Sequence, residues 1–354
     1  MTDERSTTLE GQPRAQPQRE DDAPTLFEMR PEPAAITSLL ERYIVPPFTT
    51  LDRRAGYWQS QARKWKKLGI KSEIGRDGSG GAFKDLGSIV NSGAYTEQSG
   101  GIGETLNDGM SIFDPVICEL VYEWFCPTEL TTPTEERPGV IYDPFAGGSV
   151  RGIVAGCLGR AYFGVDLSAE QVAANKEQSR EIFWQPNERH IPPTWINADS
   201  RQICPELRDM DLCPDLIFTC PPYGDLEVYS EDPHDLSNMD QGEFDQAYCD
   251  IIKDAVGILN DNRFAAIVVG NYRDKQGHLR DLMGLTVRAF EAAGARYYNE
   301  AVVLDPIGSA AVRAKRQFSA KRKLVRVHQS LLIFVKGDEA KATAAMRRVE
   351  EGEK

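Results

Sequence analysis

The chain has 354 residues, a net charge of −13, 41% hydrophobic and 27% charged residues, which suits a globular body of one or two domains with a large core. No apolar run approaches the roughly 18 residues of a membrane helix. The polar, acidic N-terminus lacks the apolar centre of a signal peptide, so the expected location is the cytoplasm. The seven cysteines (118, 126, 157, 204, 213, 220 and 249) form no Cys-x-x-Cys pair, and the four histidines (190, 234, 278 and 328) are scattered. That pattern argues against a disulfide framework and a zinc site, so reduced thiols and no metal are expected.

In chain order, residues 1–35 are rich in Pro, Gln, Glu and Asp with few large apolar residues, a composition expected to stay disordered. Residues 36–110 form an extension that is a candidate for DNA recognition. Ile36 to Tyr43 and Leu51 to Leu68 read as helices, and the Gly/Ser-dense stretch 75–109 reads as turns. Ser111 to Phe125 reads as a helix opened by Asp114-Pro115, a cap followed by a first-turn proline.

From about residue 139 short apolar runs alternate with helices. Val140–Tyr142, Ala161–Val165, Thr194–Asn197, Leu216–Thr219 and Phe264–Val269 are strand candidates. Ser149–Leu158, Ala169–Phe183, Phe244–Leu259 and Leu279–Ala293 are helix candidates. Tyr297–Leu304 and Ser330–Val335 close the pattern as an antiparallel pair joined by a long basic loop. Continuous apolar strands alternating with helices predict a doubly wound α/β sheet. The domain is expected to span 111–336, with a C-terminal tail over 337–354.

The total charge argues against a nucleic-acid partner, but its distribution does not. Between Pro306 and Lys336 stand Arg313, Lys315, Arg316, Lys321, Arg322, Lys323, Arg326 and Lys336, with no acidic residue. Such a patch suits phosphate contacts, or is a solvated face. A second cluster is Arg63, Lys64, Lys66, Lys67 and Lys71.

Asp143-Pro144-Phe145-Ala146-Gly147-Gly148-Ser149 follows a strand and opens a helix, where ligands bind in such folds. Its glycines let backbone approach a ligand closely. Asp143 could accept from the ammonium of a methionine-like moiety, Asp166 could hold ribose hydroxyls, and Asp199 could meet an adenine amine. The plain alternative is a βα turn with three ordinary acids. The run departs from the phosphate-binding Gly-x-Gly-x-x-Gly pattern and no phosphate-binding lysine follows. Both omissions suit a donor without phosphates, S-adenosylmethionine.

Asp143-Pro144-Phe145-Ala146-Gly147 resembles the donor motif of the DNA N4-cytosine and N6-adenine methyltransferases. Asp166 and Asp199 fall where that family's second and third donor acids lie. Ser111-Ile112-Phe113-Asp114-Pro115 resembles the segment before the donor motif, and His328 to Lys336 resembles the closing strand. The resemblance covers 111–336. It implies a mostly parallel seven-stranded sheet with an antiparallel C-terminal strand, S-adenosylmethionine as cofactor and double-stranded DNA as partner. The acidic head and compact body resemble phage-encoded members, which implies DNA modification of the restriction–modification kind in a host cytoplasm. No nuclease-like module is visible.

The catalytic candidate is Cys220-Pro221-Pro222-Tyr223, after the strand Leu216-Ile217-Phe218. Two prolines stiffen the backbone and aim the carbonyls of Cys220 and Pro221, while Tyr223 would stack on a base flipped from the duplex. The plain alternative is a turn with a buried tyrosine. The family usually has Asp, Asn or Ser at position 220. Cysteine is nearest in size to serine, which favours cytosine N4 over adenine N6. A thiol also opens attack on pyrimidine C6 and methylation at C5. Asp225 and Glu227 are pocket acids or loop charges, and Asn271 touches the base or caps a turn. The rival readings are an RNA methyltransferase, a small-molecule methyltransferase and a non-catalytic DNA-binding protein with this fold.

Overall fold

The computed structural model describes residues 40–70, 113–131, 136–184, 187, 189–224, 232–308 and 310–346. The acidic head, the Gly/Ser-rich stretch, Lys71, Ser111, Ile112, Asp225, Glu227 and the chain beyond 346 lie outside the described residues. Among the described residues no helix is long and apolar enough to cross a membrane.

Five parallel strands form the centre of the sheet: β4 (Val140–Asp143), β5 (Ala161–Asp166), β6 (Thr194–Asn197), β7 (Leu216–Thr219) and β8 (Arg263–Val269). With β11 (Ala295–Leu304), β12 (His328–Lys336) and β1 (Thr50–Asp52), the order across the sheet is β1-β11-β12-β8-β7-β4-β5-β6. Only β12 runs antiparallel to its neighbours. Two small hairpins, β2 (Glu129–Thr131) with β3 (Glu136–Pro138) and β9 (Tyr272–Arg273) with β10 (Leu279–Arg280), stand apart.

The central strands carry no polar alternation because both faces are covered. Side chains still alternate by face. Ile141, Phe218, Ala266 and Ile333 enter one core, while Tyr142, Ile217, Ala265 and Phe334 enter the other. The first core is closed by helices α1 (Gly56–Lys66), α2 (Pro115–Phe125) and α3 (Val150–Cys157). The second is closed by α6 (Gln241–Ile258) and α7 (Leu282–Ala292). α4 (Ala169–Ile182) and α5 (Cys204–Asp209) complete the layers, and α8 (Ala310–Lys321) and α9 (Glu339–Met346) follow. α2 begins as expected, with Asp114 accepting from the Val116 N–H ahead of Pro115.

The sheet has eight strands rather than seven. Thr50–Asp52, expected in part inside a helix, instead pairs with Val302–Leu304, and the helix starts at Gly56. Residues 50–66 are built into the body rather than projecting from it. Trp58 Nε1 donates to Asp114 at 3.0 Å, and Trp65 Nε1 donates to Glu119 at 2.6 Å. Arg53 spans Asp114 (2.6 Å) and Asp305 (2.5 Å). The expected basic loop also changes character: Ala310–Lys321 is helical. Its Ala, Arg, Lys and Gln residues are strong helix formers, but only Ala310 is buried, so no apolar stripe announced it.

Candidate active site

The strand order reverses between β4 and β7, with β5 and β6 on one side and β8 on the other. In such sheets a crevice opens at the carboxyl ends of the strands flanking this point. A cleft of about 1140 Å³ lies there. It brings together Pro144, Phe145, Gly147, Asp166, Asp199, Cys220, Pro221, Pro222 and Tyr223 with Arg313, Arg322 and Arg326. Lys315, Arg316 and Lys321 sit on exposed positions of α8 and do not line the cleft. Lys323 reaches the β9–β10 hairpin, where a side chain on Gly277 would lie 1.8 Å from its Nζ.

Asp143 lies behind the cleft wall. It is fully buried and does not line the cleft. Its Oδ1 accepts from the Phe145 N–H (3.1 Å) and Thr219 Oγ1 (2.6 Å). Its Oδ2 accepts from Arg151 Nε (2.5 Å) and Tyr162 Oη (2.7 Å). One carboxylate therefore ties the ends of β4 and β7 to α3 and, through the Tyr162 side chain, to β5. It holds the turn that follows β4 from the inner side of the cleft wall.

Arg151 completes this anchor and was not singled out from the sequence. Its Nη2 donates to the carbonyls of Phe145 (2.6 Å) and Ala146 (2.8 Å), and its guanidinium lies 4.7 Å from the Phe113 ring centre. Burial opposes its charge, but Asp143, with Tyr162 and Cys220 nearby, outweighs that and raises its pKa above the ordinary guanidinium value. The available signal was one arginine inside the otherwise apolar stretch Val150–Cys157.

On the donor side, Gly147 has φ +51°, the left-handed region that favours glycine. Its N–H donates to Asp166 Oδ2 at 2.8 Å, and the Ser168 N–H donates to Oδ1 at 2.9 Å. Asp166 is thereby fixed at the end of β5. Asp199 is gripped by Arg201, with Nη2 to Oδ2 at 2.6 Å. Burial raises the Asp199 pKa, yet the Arg201 hydrogen bonds dominate and hold the carboxyl below its usual range. Two carboxylates beside the apolar Phe145, Val165 and Ala198 would repel a phosphate and suit hydroxyl or amine donors. This half of the cleft fits a nucleoside-bearing cofactor that has no phosphates. Among the described residues no cluster could hold a metal ion.

On the other side, β7 ends at Thr219 and the chain turns through Cys220-Pro221-Pro222-Tyr223. Pro221 is buried, while Cys220, Pro222 and Tyr223 are half-buried at the cleft. Tyr223 meets Tyr272 edge-on at 6.4 Å between ring centres. Gly224 follows at φ +56°, and a Cβ there would come within 2.2 Å of Tyr272 Oη. Asn271 lines the cleft and also caps the turn before α7. Its Oδ1 accepts from the Met283 N–H at 2.9 Å, and its carbonyl accepts from Arg326 at 3.1 Å.

No known family profile matches the sequence, and no curated protein matches it. Solved structures do align with it. TrmN from Thermus thermophilus is 16% identical with a TM-score of 0.38, over 63% of this chain and 49% of that one. A SAM-dependent methyltransferase from Agrobacterium tumefaciens is 17% identical with a TM-score of 0.39, over 64% and 63%. Magnesium protoporphyrin IX methyltransferase from Synechocystis, with bound SAM, is 13% identical with a TM-score of 0.35, over 56% and 71%. The chain spans about half the length of the TrmN structure. Strand order and cleft, rather than these likenesses, define the class: a doubly wound α/β protein with a ligand cleft at its switch point.

Proposed function

We propose that the protein is a cytoplasmic DNA methyltransferase that uses S-adenosylmethionine and acts on the exocyclic amine of a flipped base, cytosine N4 ahead of adenine N6. The observation that carries this reading is the meeting, in one cleft, of the strand-end acid Asp166 with the Cys220-Pro221-Pro222-Tyr223 turn. When bound, S-adenosylmethionine supplies an electrophilic methyl group to the amine nitrogen, which gives up one proton. Asp166 holds the ribose hydroxyls, Gly147 and Gly148 allow the close backbone approach, and the charged Asp199 faces the adenine end.

The amine of a nucleobase is a poor nucleophile because its lone pair is delocalised into the ring. The carbonyl oxygens of Cys220 and Pro221 accept its N–H groups and draw nitrogen toward tetrahedral geometry. Tyr223 stacks on the ring, and positioning supplies most of the rate. Arg313 lines the same cleft, and its buried Nε meets no acceptor among the described residues. A backbone phosphate would satisfy it.

Nucleoside mass spectrometry of DNA from cells expressing the protein tests the reading. N4-methylcytosine is the expected product, and N6-methyladenine would move the target to the second base. C5-methylcytosine would make Cys220 a nucleophile, and unmodified DNA would overturn the reading.

Asp166→Ala is expected to weaken donor binding about tenfold, the loss of roughly 1.5 kcal/mol for hydrogen bonds to a charged group. Calorimetric titration with S-adenosylhomocysteine measures it. An unchanged Kd would remove Asp166 from the donor site.

A further inference from the structure

The mouth of the cleft carries an aliphatic side chain that the chemistry above does not use. Leu324 is 73% exposed, the highest value among the large apolar residues described, and it lines the cleft between Arg322 and Arg326. An isolated exposed leucine is ordinary. The surroundings of this one are not.

Because β12 is antiparallel, its first residues lie at the carboxyl ends of the other strands: Ser330 pairs with Val269 at the end of β8. The segment 322–327 leading into β12 therefore crosses the cleft side of the sheet. Arg326 pins it there. Its Nη1 donates to the Asn271 carbonyl at 3.1 Å, and its Nε donates to the His328 carbonyl at 3.2 Å. At the other end, Arg322 directly follows α8 at φ +53°, and its N–H donates to the Phe318 carbonyl at 2.9 Å, a left-handed cap that ends the helix and sets the direction of the segment. Its guanidinium lies over Phe318, 5.1 Å from the ring centre. Leu324 thus stands on a braced segment, with a cation on either side and the Pro-Pro-Tyr turn in the same cleft.

We infer that Leu324 is a wedge that enters the duplex at the target pair, fills the space the flipped base leaves, and holds that base in the cleft. The inference rests on the proposed action on a base in double-stranded DNA. Apolar side chains inserted between base steps unstack the duplex, and the exposed Arg322 beside this one would meet a phosphate. A wedge matters only where a pair must be opened. A target base that is already unpaired needs none.

Once the modified position is located, two oligonucleotide duplexes carrying it separate the possibilities. One has the target base paired and the other has it opposite an abasic site. Leu324→Ala is expected to lower kcat/KM on the paired duplex about tenfold and to stay within about twofold of the native protein on the unpaired one. Leu324→Phe is expected to retain most activity on both. An equal loss on both duplexes, or no loss on either, would overturn the wedge. A native protein inactive on both would overturn the proposed function and the wedge with it. The native control therefore tells the two failures apart.

Discussion

Asp143→Ala is expected to destabilise the protein by about 3–5 kcal/mol, the cost of leaving a buried charge without its partner. Arg151 is the charge left behind, with a side chain 6% exposed beside an Asp143 that is fully buried. Thr219 and Tyr162 lose their acceptor as well. The rim of the site loosens at β4, β5 and β7 together. Removing both charges, as in Asp143→Leu with Arg151→Met, is expected to cost less than the sum of the single changes, because no orphaned ion remains. Urea unfolding of the native, single and double variants measures the cycle. A loss below about 1 kcal/mol for Asp143→Ala would show that the buried pair is not what holds the switch point together.

The second large effect is expected at Tyr223. Tyr223→Ala should lower single-turnover methylation about a hundredfold, since stacking of a base on an aromatic ring is worth about 1–3 kcal/mol, while Tyr223→Phe, which keeps the ring's packing on the core, controls for the loss of stability. The half-buried ring meets Tyr272 edge-on, packs against the margin of the second core and lines the cleft. Tyr223→Phe keeps the stacking surface and should retain most of the rate. Equal damage from Ala and Phe would assign the phenolic hydroxyl, not the ring, to the chemistry. Unaffected turnover in Tyr223→Ala would remove the turn from the target site.

Much of this was legible because local chemistry and tertiary position agree. Leu216–Thr219 is a strand in both sequence and structure, since a short apolar run between turns has few other uses. α6 starts three residues before the expected Phe244, at a capping box in which Asp240 and Glu243 satisfy each other's backbone N–H groups. That signature was present in the sequence. β1 was not readable. Three residues carry no periodicity, and only the edge of β11, some 250 residues away, makes them a strand. Helix α8 was hidden for the opposite reason: its propensity is high but it covers almost no core. For the site, the strand-end acids were found by position, but burial divides their work. Asp166 lines the cleft, whereas Asp143 faces inward to Arg151. A pattern of residue types does not distinguish these roles.

The sheet also constrains how the chain is assembled as it leaves the ribosome. β1 contacts the sheet only through β11, and β11 reaches the central strands only through β12. Synthesis delivers Thr50–Asp52 early, but its partner Val302–Leu304 has no place in the sheet until His328–Lys336 has paired with β8. Trp58 and Trp65 can meet α2 long before that, so the helix docks first and its strand waits. Among the described strands the first made is therefore expected to be the last seated, and Arg53, reaching Asp305 across 252 positions, can close only when most of the chain is out.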